Sequence, residues 1–157
     1  MASCREPIEA NLADESLTNL DADGVMYGMV NYVTSNGVRS AVIRADSTYQ
    51  FNDSSVVHMW GVEMTLYHED GRERAHVTSE RGRLHDRTQD MLARGNVVLT
   101  IFEGNRIVRS PELTYQPDLE RISSDSASVL IQDGRETRGT CFRSDLSFRE
   151  ITVCQIR

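Results

Sequence analysis

Glycine-bearing turns divide this chain at nearly equal intervals, and that spacing constrains the fold more than any other feature. Asn36-Gly37, Asp70-Gly71, Glu103-Gly104 and Asp133-Gly134 follow one another at 34, 33 and 30 residues. Glycine behind an acid or amide supplies the positive φ of a tight hairpin. A second set of turns falls between them, at Asn52-Asp53-Ser54-Ser55, His85-Asp86-Arg87, Gln116-Pro117-Asp118 and Ser144-Asp145. Each unit of about 32 residues therefore predicts a strand, a turn, a strand and a turn. The last unit is shortened, as end units of repeats often are.

Between the turns, apolar residues alternate. Over 40–52 the odd positions are Ala41, Ile43, Ala45, Ser47, Tyr49 and Phe51, whereas Val42 is the lone apolar even one. Over 56–66 the even row is Val56, His58, Trp60, Val62, Met64 and Leu66. Later rows are Val97, Leu99 and Ile101, then Ala127, Val129 and Ile131. A period of two marks half-buried strands, since an amphipathic helix repeats at 3.6. Near Gly82 the phase slips by one, from Ala75, Val77 and Ser79 to Leu84, which predicts a β-bulge. The expected fold is all-β, with nine to eleven long antiparallel strands. They would form an elongated two-layer object, as two facing sheets or one sheet folded along its length. Residues 1–20 lack the pattern and read as a mobile leader, so the domain is expected over 21–157.

Composition narrows the function. The chain has 157 residues, 17 of them basic and all arginine, against 24 acidic, for a net charge of −7. One domain fits that length. An acidic chain without a basic run is a poor partner for nucleic acid or an anionic membrane. No apolar stretch reaches the roughly 18 residues of a membrane-spanning helix. His58, His68, His76 and His85 include no closely spaced pair, so no metal or other cofactor is expected. Ser79 has no nucleophile-elbow sequence around it, and no catalytic residue is assigned.

Four stretches carry a resemblance to a known family. They are DADGVMYGMVNYVTSNGVRSAVIRADSTYQF (21–51), VTSERGRLHDRTQDMLARGNVVLTI (77–101), LTYQPDLERISSDSA (113–127) and GTCFRSD (139–145). Together, in order and spacing, they resemble the periplasmic domain of LptC, a component of lipopolysaccharide export. Cys141 stands where that family usually has a second glycine, and the usual N-terminal transmembrane anchor is absent. The resemblance implies a folded β-jelly-roll (a β-taco) whose layers enclose an apolar groove. It implies a non-enzymatic periplasmic carrier at the inner membrane. Such a carrier receives lipopolysaccharide from an ABC transporter and hands it, edge strand to edge strand, to an LptA-like bridge protein.

On that reading the inward rows line the groove: Ala41, Ile43, Ala45, Tyr49, Trp60, Val62, Met64, Leu66, Val97, Leu99 and Ile101. Small alanines beside flexible methionine leave room for varied acyl chains, so the slot is expected to stay open at one side or end. The residues alone equally allow a closed core, as in a structural or adhesive β-repeat protein. They are also compatible with a soluble LptA-like bridge protein or a metal-dependent jelly-roll enzyme. The edges for partner pairing are expected near 25–34 and 148–157. Cys141 and Cys154 fall in the last two strands and are either a disulfide, suited to an oxidising periplasm, or two buried thiols. Cys4 follows Ala2-Ser3 as in a lipoprotein cleavage site, which makes it a lipidation candidate that could replace the missing anchor.

Overall fold

The computed structural model describes residues 24–50 and 54–155. Cys4, the leader and part of the Asn52–Ser55 turn lie outside the described residues. Eleven strands form one antiparallel sheet. They are β1 (Gly24–Ser35), β2 (Val38–Gln50), β3 (Val56–Tyr67), β4 (Glu73–His85), β5 (Met91–Ile101), β6 (Arg106–Gln116), β7 (Arg121–Ser124), β8 (Ser128–Gln132), β9 (Arg135–Gly139), β10 (Cys141–Asp145) and β11 (Ile151–Cys154). A single 3-10 turn at Pro117–Leu119 is the one helical element among the described residues. The strand order is β1-β2-β3-β4-β5-β6-β7-β10-β11, with β8 beside β6 and β9 beside β8. The first six strands run 11–13 residues. They are joined in hairpins, as the alternation and the turn spacing predict.

The four turn glycines all have positive φ: Gly37 at 76°, Gly71 at 87°, Gly104 at 77° and Gly134 at 74°. Asn36 and Asp133, which precede two of them, are also left-handed, at 52° and 51°. With Ser35 paired to Val38 and Gln132 to Arg135, these are two-residue hairpins that need positive φ at both central positions.

One apolar cluster draws residues from β1 to β7 and from β10, including Val33, Ile43, Met64, Leu99, Tyr115, Ile122 and Phe142. A single sheet can bury one face in a single cluster only by folding over on itself. The β6 strand makes the fold possible. Beyond β5, its free edge is shared between β8, at Ile107–Arg109, and β7, at Thr114–Gln116. Three buried serines fill the fork between them: the Ser110 and Ser124 hydroxyls lie 2.9 Å apart, and Ser128 donates to Ser110 at 3.3 Å. Their hydroxyls satisfy one another where an apolar side chain would leave backbone polar groups dry.

The phase slip predicted near Gly82 is part of a larger feature. Ladder pairing skips Gly28 in β1, Asp46 in β2, Gly61 in β3, Glu80 in β4, Gly95 and Asn96 in β5, and Pro111 in β6. These positions lie at one level across six strands. Gly28, Gly61 and Gly95 take φ of 71°, 63° and 82°. One unpaired residue in a strand shifts every later side chain to the opposite face. Thus Ala41, Ile43 and Ala45 face the core before the crease, and Thr48 is buried after it. Likewise Val62, Met64 and Leu66 face in on one side of Gly61, and Met59 on the other.

Candidate functional site: an apolar interior with one open end

Nine of the eleven groove candidates point into the folded sheet. Ala41, Ile43, Ala45, Val62, Met64, Leu66, Val97, Leu99 and Ile101 are each at most 5% exposed. Register explains their meeting. Ala41 faces Leu66, Ile43 faces Met64 and Ala45 faces Val62, while Val77 links Met64 to Leu99.

Tyr49 and Trp60 are corrections. Continuous rows over 40–52 and 56–66 would turn both residues inward, but both rows cross the crease. Beyond it, Tyr49, His58 and Trp60 lie on the outer face. Trp60 is 43% exposed, and Tyr49 stacks on His58 with ring centroids 4.8 Å apart and planes at 5°. Met59 and Val57 take the inward places instead. In β8, which does not cross the crease, the row of Ala127, Val129 and Ile131 is not the inward one either. Ala127 is exposed, and the adjoining Ser128 and Leu130 face the core. The alternation missed other interior residues, namely Leu113, Tyr115, Phe142 and Phe148. A signal for the crease was present: Gly28, Gly61 and Gly95 recur at 33 and 34 residues, the period of the turn glycines.

The interior opens at one end. A cavity of about 300 Å³ lies between the β1–β2 and β3–β4 hairpin tips and the β6–β7 and β10–β11 connections. Leu66 and Tyr115, both members of the buried cluster, reach its wall, with Val38 and Leu146 beside them and Arg39 and Arg74 among the polar residues. The segment after β10 closes the rest of this end. Phe148 is buried at 2% exposure with a left-handed φ of 55°. Arg106 donates to the Phe148 carbonyl at 3.0 Å and Arg74 to the Leu146 carbonyl at 2.7 Å. The Asp145 carboxylate accepts the Arg149 and Glu150 amides at 3.0 and 3.1 Å.

Beneath the cavity, the Tyr115 hydroxyl is buried without a hydrogen bond of good geometry, although the Ser40 hydroxyl faces it. Ser40 instead donates to the Val33 carbonyl at 3.1 Å. Burial pushes the Tyr115 phenol up to about 12, and the Asp118 charge adds to the rise against the Ser40 contact. Such a site can take up an apolar chain end against Leu66 and Tyr115. Among the described residues, no three His, Cys, Asp or Glu side chains gather as metal ligands.

The two ends of the sheet differ. β1 has no neighbour beyond it among the described residues, and most of its side chains are exposed, including Met26 at 60% and Tyr27 at 58%. At the other end, Cys141 and Cys154 are opposed in the β10–β11 register and joined as a disulfide, with Cα atoms 4.9 Å apart. The Thr140 amide donates to the Cys154 carbonyl at 2.9 Å. A β-carbon on Gly139 would strike that same carbonyl, so the glycine lets β9 approach β11.

No curated protein matches the chain. The family model for lipopolysaccharide-assembly, LptC-related proteins matches residues 4–155, nearly the whole chain. The chain therefore belongs to the LptC family.

Proposed function

We propose that this protein is a non-enzymatic periplasmic carrier, receiving lipopolysaccharide from an inner-membrane ABC transporter and passing it to an LptA-like bridge protein. The observation that carries this reading is the uncovered first strand. Among the described residues its outer edge has no ladder partner, and Val25, Met26, Tyr27, Val30 and Tyr32 are exposed along it. Long, apolar edges are aggregation hazards unless a partner strand covers them. A neighbouring jelly-roll that adds a strand there would extend the sheet and make the interiors continuous. β11 is the corresponding edge at the far end, stapled to β10 by its disulfide.

The buried rows supply the cargo's environment. Each enclosed methylene gains about 0.8 kcal/mol, so one acyl chain of a dozen carbons would gain on the order of 10 kcal/mol. Entry would begin at the open end, where Leu66 and Tyr115 reach the cavity wall. Membrane attachment through a lipid on Cys4 belongs to this proposal.

A second reading has its own support. The nine inward candidates are at most 5% exposed, as they would be in a structural repeat with a filled core. A photoreactive residue at Leu66 separates the two. The carrier reading expects ultraviolet-dependent crosslinks to lipopolysaccharide in cells from Leu66, and none from Thr100 on the outer face. Equal or absent crosslinking at both positions favours the structural repeat.

A further inference from the structure

The outer face beyond the crease carries a local charge reversal that the interior does not use. Arg81 and Arg94 are direct cross-strand partners in the β4–β5 ladder, and Arg83 lies two residues along from Arg81 on the same face. Like charges directly opposed on a sheet destabilise it. Only one carboxylate answers them among the described residues: Glu112 approaches Arg94 at 3.6 Å, with both side chains partly exposed. Arg81 and Arg83 are in no ion pair within the described residues. Three arginines with one loosely held acid form a positive island.

Flat rings border that island. In the ladder Trp60 faces Arg81 and His58 faces Arg83, and His58 stacks on Tyr49. Burial first, and then the Arg83 charge, hold the His58 imidazole below its ordinary range. Both effects disfavour the imidazolium, so His58 adds a ring to the border more readily than a fourth cation. The hollow these groups border holds about 100 Å³, well below the roughly 300–1,000 Å³ of a drug-sized site. That is room for one phosphate group, with any attached ring lying outside the hollow. The guanidinium fork matches phosphate oxygens two at a time, and an exposed indole offers an apolar plane beside a polar rim.

We propose that Trp60, Arg81, Arg83 and Arg94 form a second binding site, for a phosphorylated saccharide, on the face of the sheet opposite the apolar interior. The phosphate would bridge the opposed arginines and relieve their repulsion, while the sugar ring lies against Trp60. An extended anionic membrane is the competing occupant, and the vesicle titration below separates it from a small phosphorylated ligand. The site goes beyond the carrier reading, since it needs neither acyl chains nor partner strands.

Trp60 is the chain's one tryptophan, so its emission reports on this site directly. The full chain is titrated with glucose 1,6-bisphosphate, glucose, inorganic phosphate and vesicles of anionic phospholipid. The expected result is a saturable change in Trp60 emission with the bisphosphate, at least about tenfold tighter than with inorganic phosphate, and none with glucose. Arg81→Ala with Arg83→Ala should weaken that binding by about tenfold or more, at an unchanged circular dichroism spectrum. Arg44→Ala, exposed on the other side of the crease, should leave it intact. The proposal is overturned by no response to the bisphosphate, by equal affinity for inorganic phosphate, by an equal response in the double variant, or by vesicles alone producing the arginine-dependent change. Because the probe has no acyl chain, none of these outcomes bears on lipid carriage.

Discussion

The Asp46 carboxylate occupies the space where a β-carbon on Gly61 would sit. Two strands further on, the relationship recurs: the Glu80 side chain covers Gly95, with its other oxygen accepting the Asn96 amide at 2.6 Å. Acid and glycine alternate across the strands, and each glycine takes a left-handed φ that an L side chain rarely adopts. The crease is therefore held by two conditions at once, backbone conformation and the absence of a side chain.

Substituting Gly61→Ala meets both conditions. Left-handed strain alone costs on the order of 1–2 kcal/mol, and the clash with Asp46 adds to it. We expect a loss of at least about 2 kcal/mol in urea denaturation. Gly61→Ala combined with Asp46→Ala should recover the steric part and leave the backbone part. A double variant no more stable than the single one would show that Asp46 is not the obstacle.

Reduction of the Cys141–Cys154 disulfide should loosen the far end of the sheet. The cysteines are 13 residues apart, and a loop of that size predicts about 3 kcal/mol from chain entropy. Cys141→Ser with Cys154→Ser should lower stability by about that much and raise amide exchange in β11 before β2 or β3. Uniform exchange acceleration across the sheet would contradict this localisation.

Tyr115 links stability to alkaline pH. Its folded value is pushed up to about 12 from the ordinary 10. The unfolded chain therefore releases this proton first. The contribution is fully present below pH 10 and is lost as pH rises towards 12, by on the order of 2 kcal/mol. Tyr115→Phe removes a buried hydroxyl that lacks a well-formed bond, so it should cost little at pH 7. It should also flatten this part of the pH profile. An identical alkaline decline in both proteins would sink the assignment.

The depth of the interior can be mapped with single carboxylates. Leu99 is wholly enclosed, whereas Leu66 reaches the wall of the open end. A buried unpaired charge costs several kcal/mol unless water reaches it. Leu99→Asp should unfold the domain or come close to doing so. Leu66→Asp should cost at least about 1 kcal/mol less, because water can enter from the cavity. Equal losses in thermal or urea melts would mean that the end is closed in solution.

Partner pairing along β1 predicts a different separation. Met26→Lys with Val30→Lys changes exposed positions, so stability should move by no more than about 0.5 kcal/mol. Charged side chains on an edge discourage a second strand. Co-purification with the transporter and bridge jelly-rolls should fall sharply for whichever partner uses this edge. Unaltered recovery of both partners would remove β1 from the interface.

The sequence by itself determined the strands and their turns. Period-two rows such as Ala41, Ile43 and Ala45 are local facts, as are the Asn36-Gly37 and Asp133-Gly134 hairpins. They depend on the pleat and on φ, which act over a few residues. The family was legible as well, from motifs in order along the chain. Tertiary structure decided which face each row presents beyond the crease. Trp60 keeps parity with Val62, yet the two lie on opposite sides of the sheet, because Gly61 carries an unpaired left-handed step between them. Nothing within β3 alone reveals that step, since its neighbours Asp46 and Glu80 come from other strands. The same holds for Cys141 and Cys154, whose spacing fits several turns and whose opposition is fixed only by the β10–β11 register. The open end, too, is made by four connections far apart in sequence. Only folding the sheet brings them together.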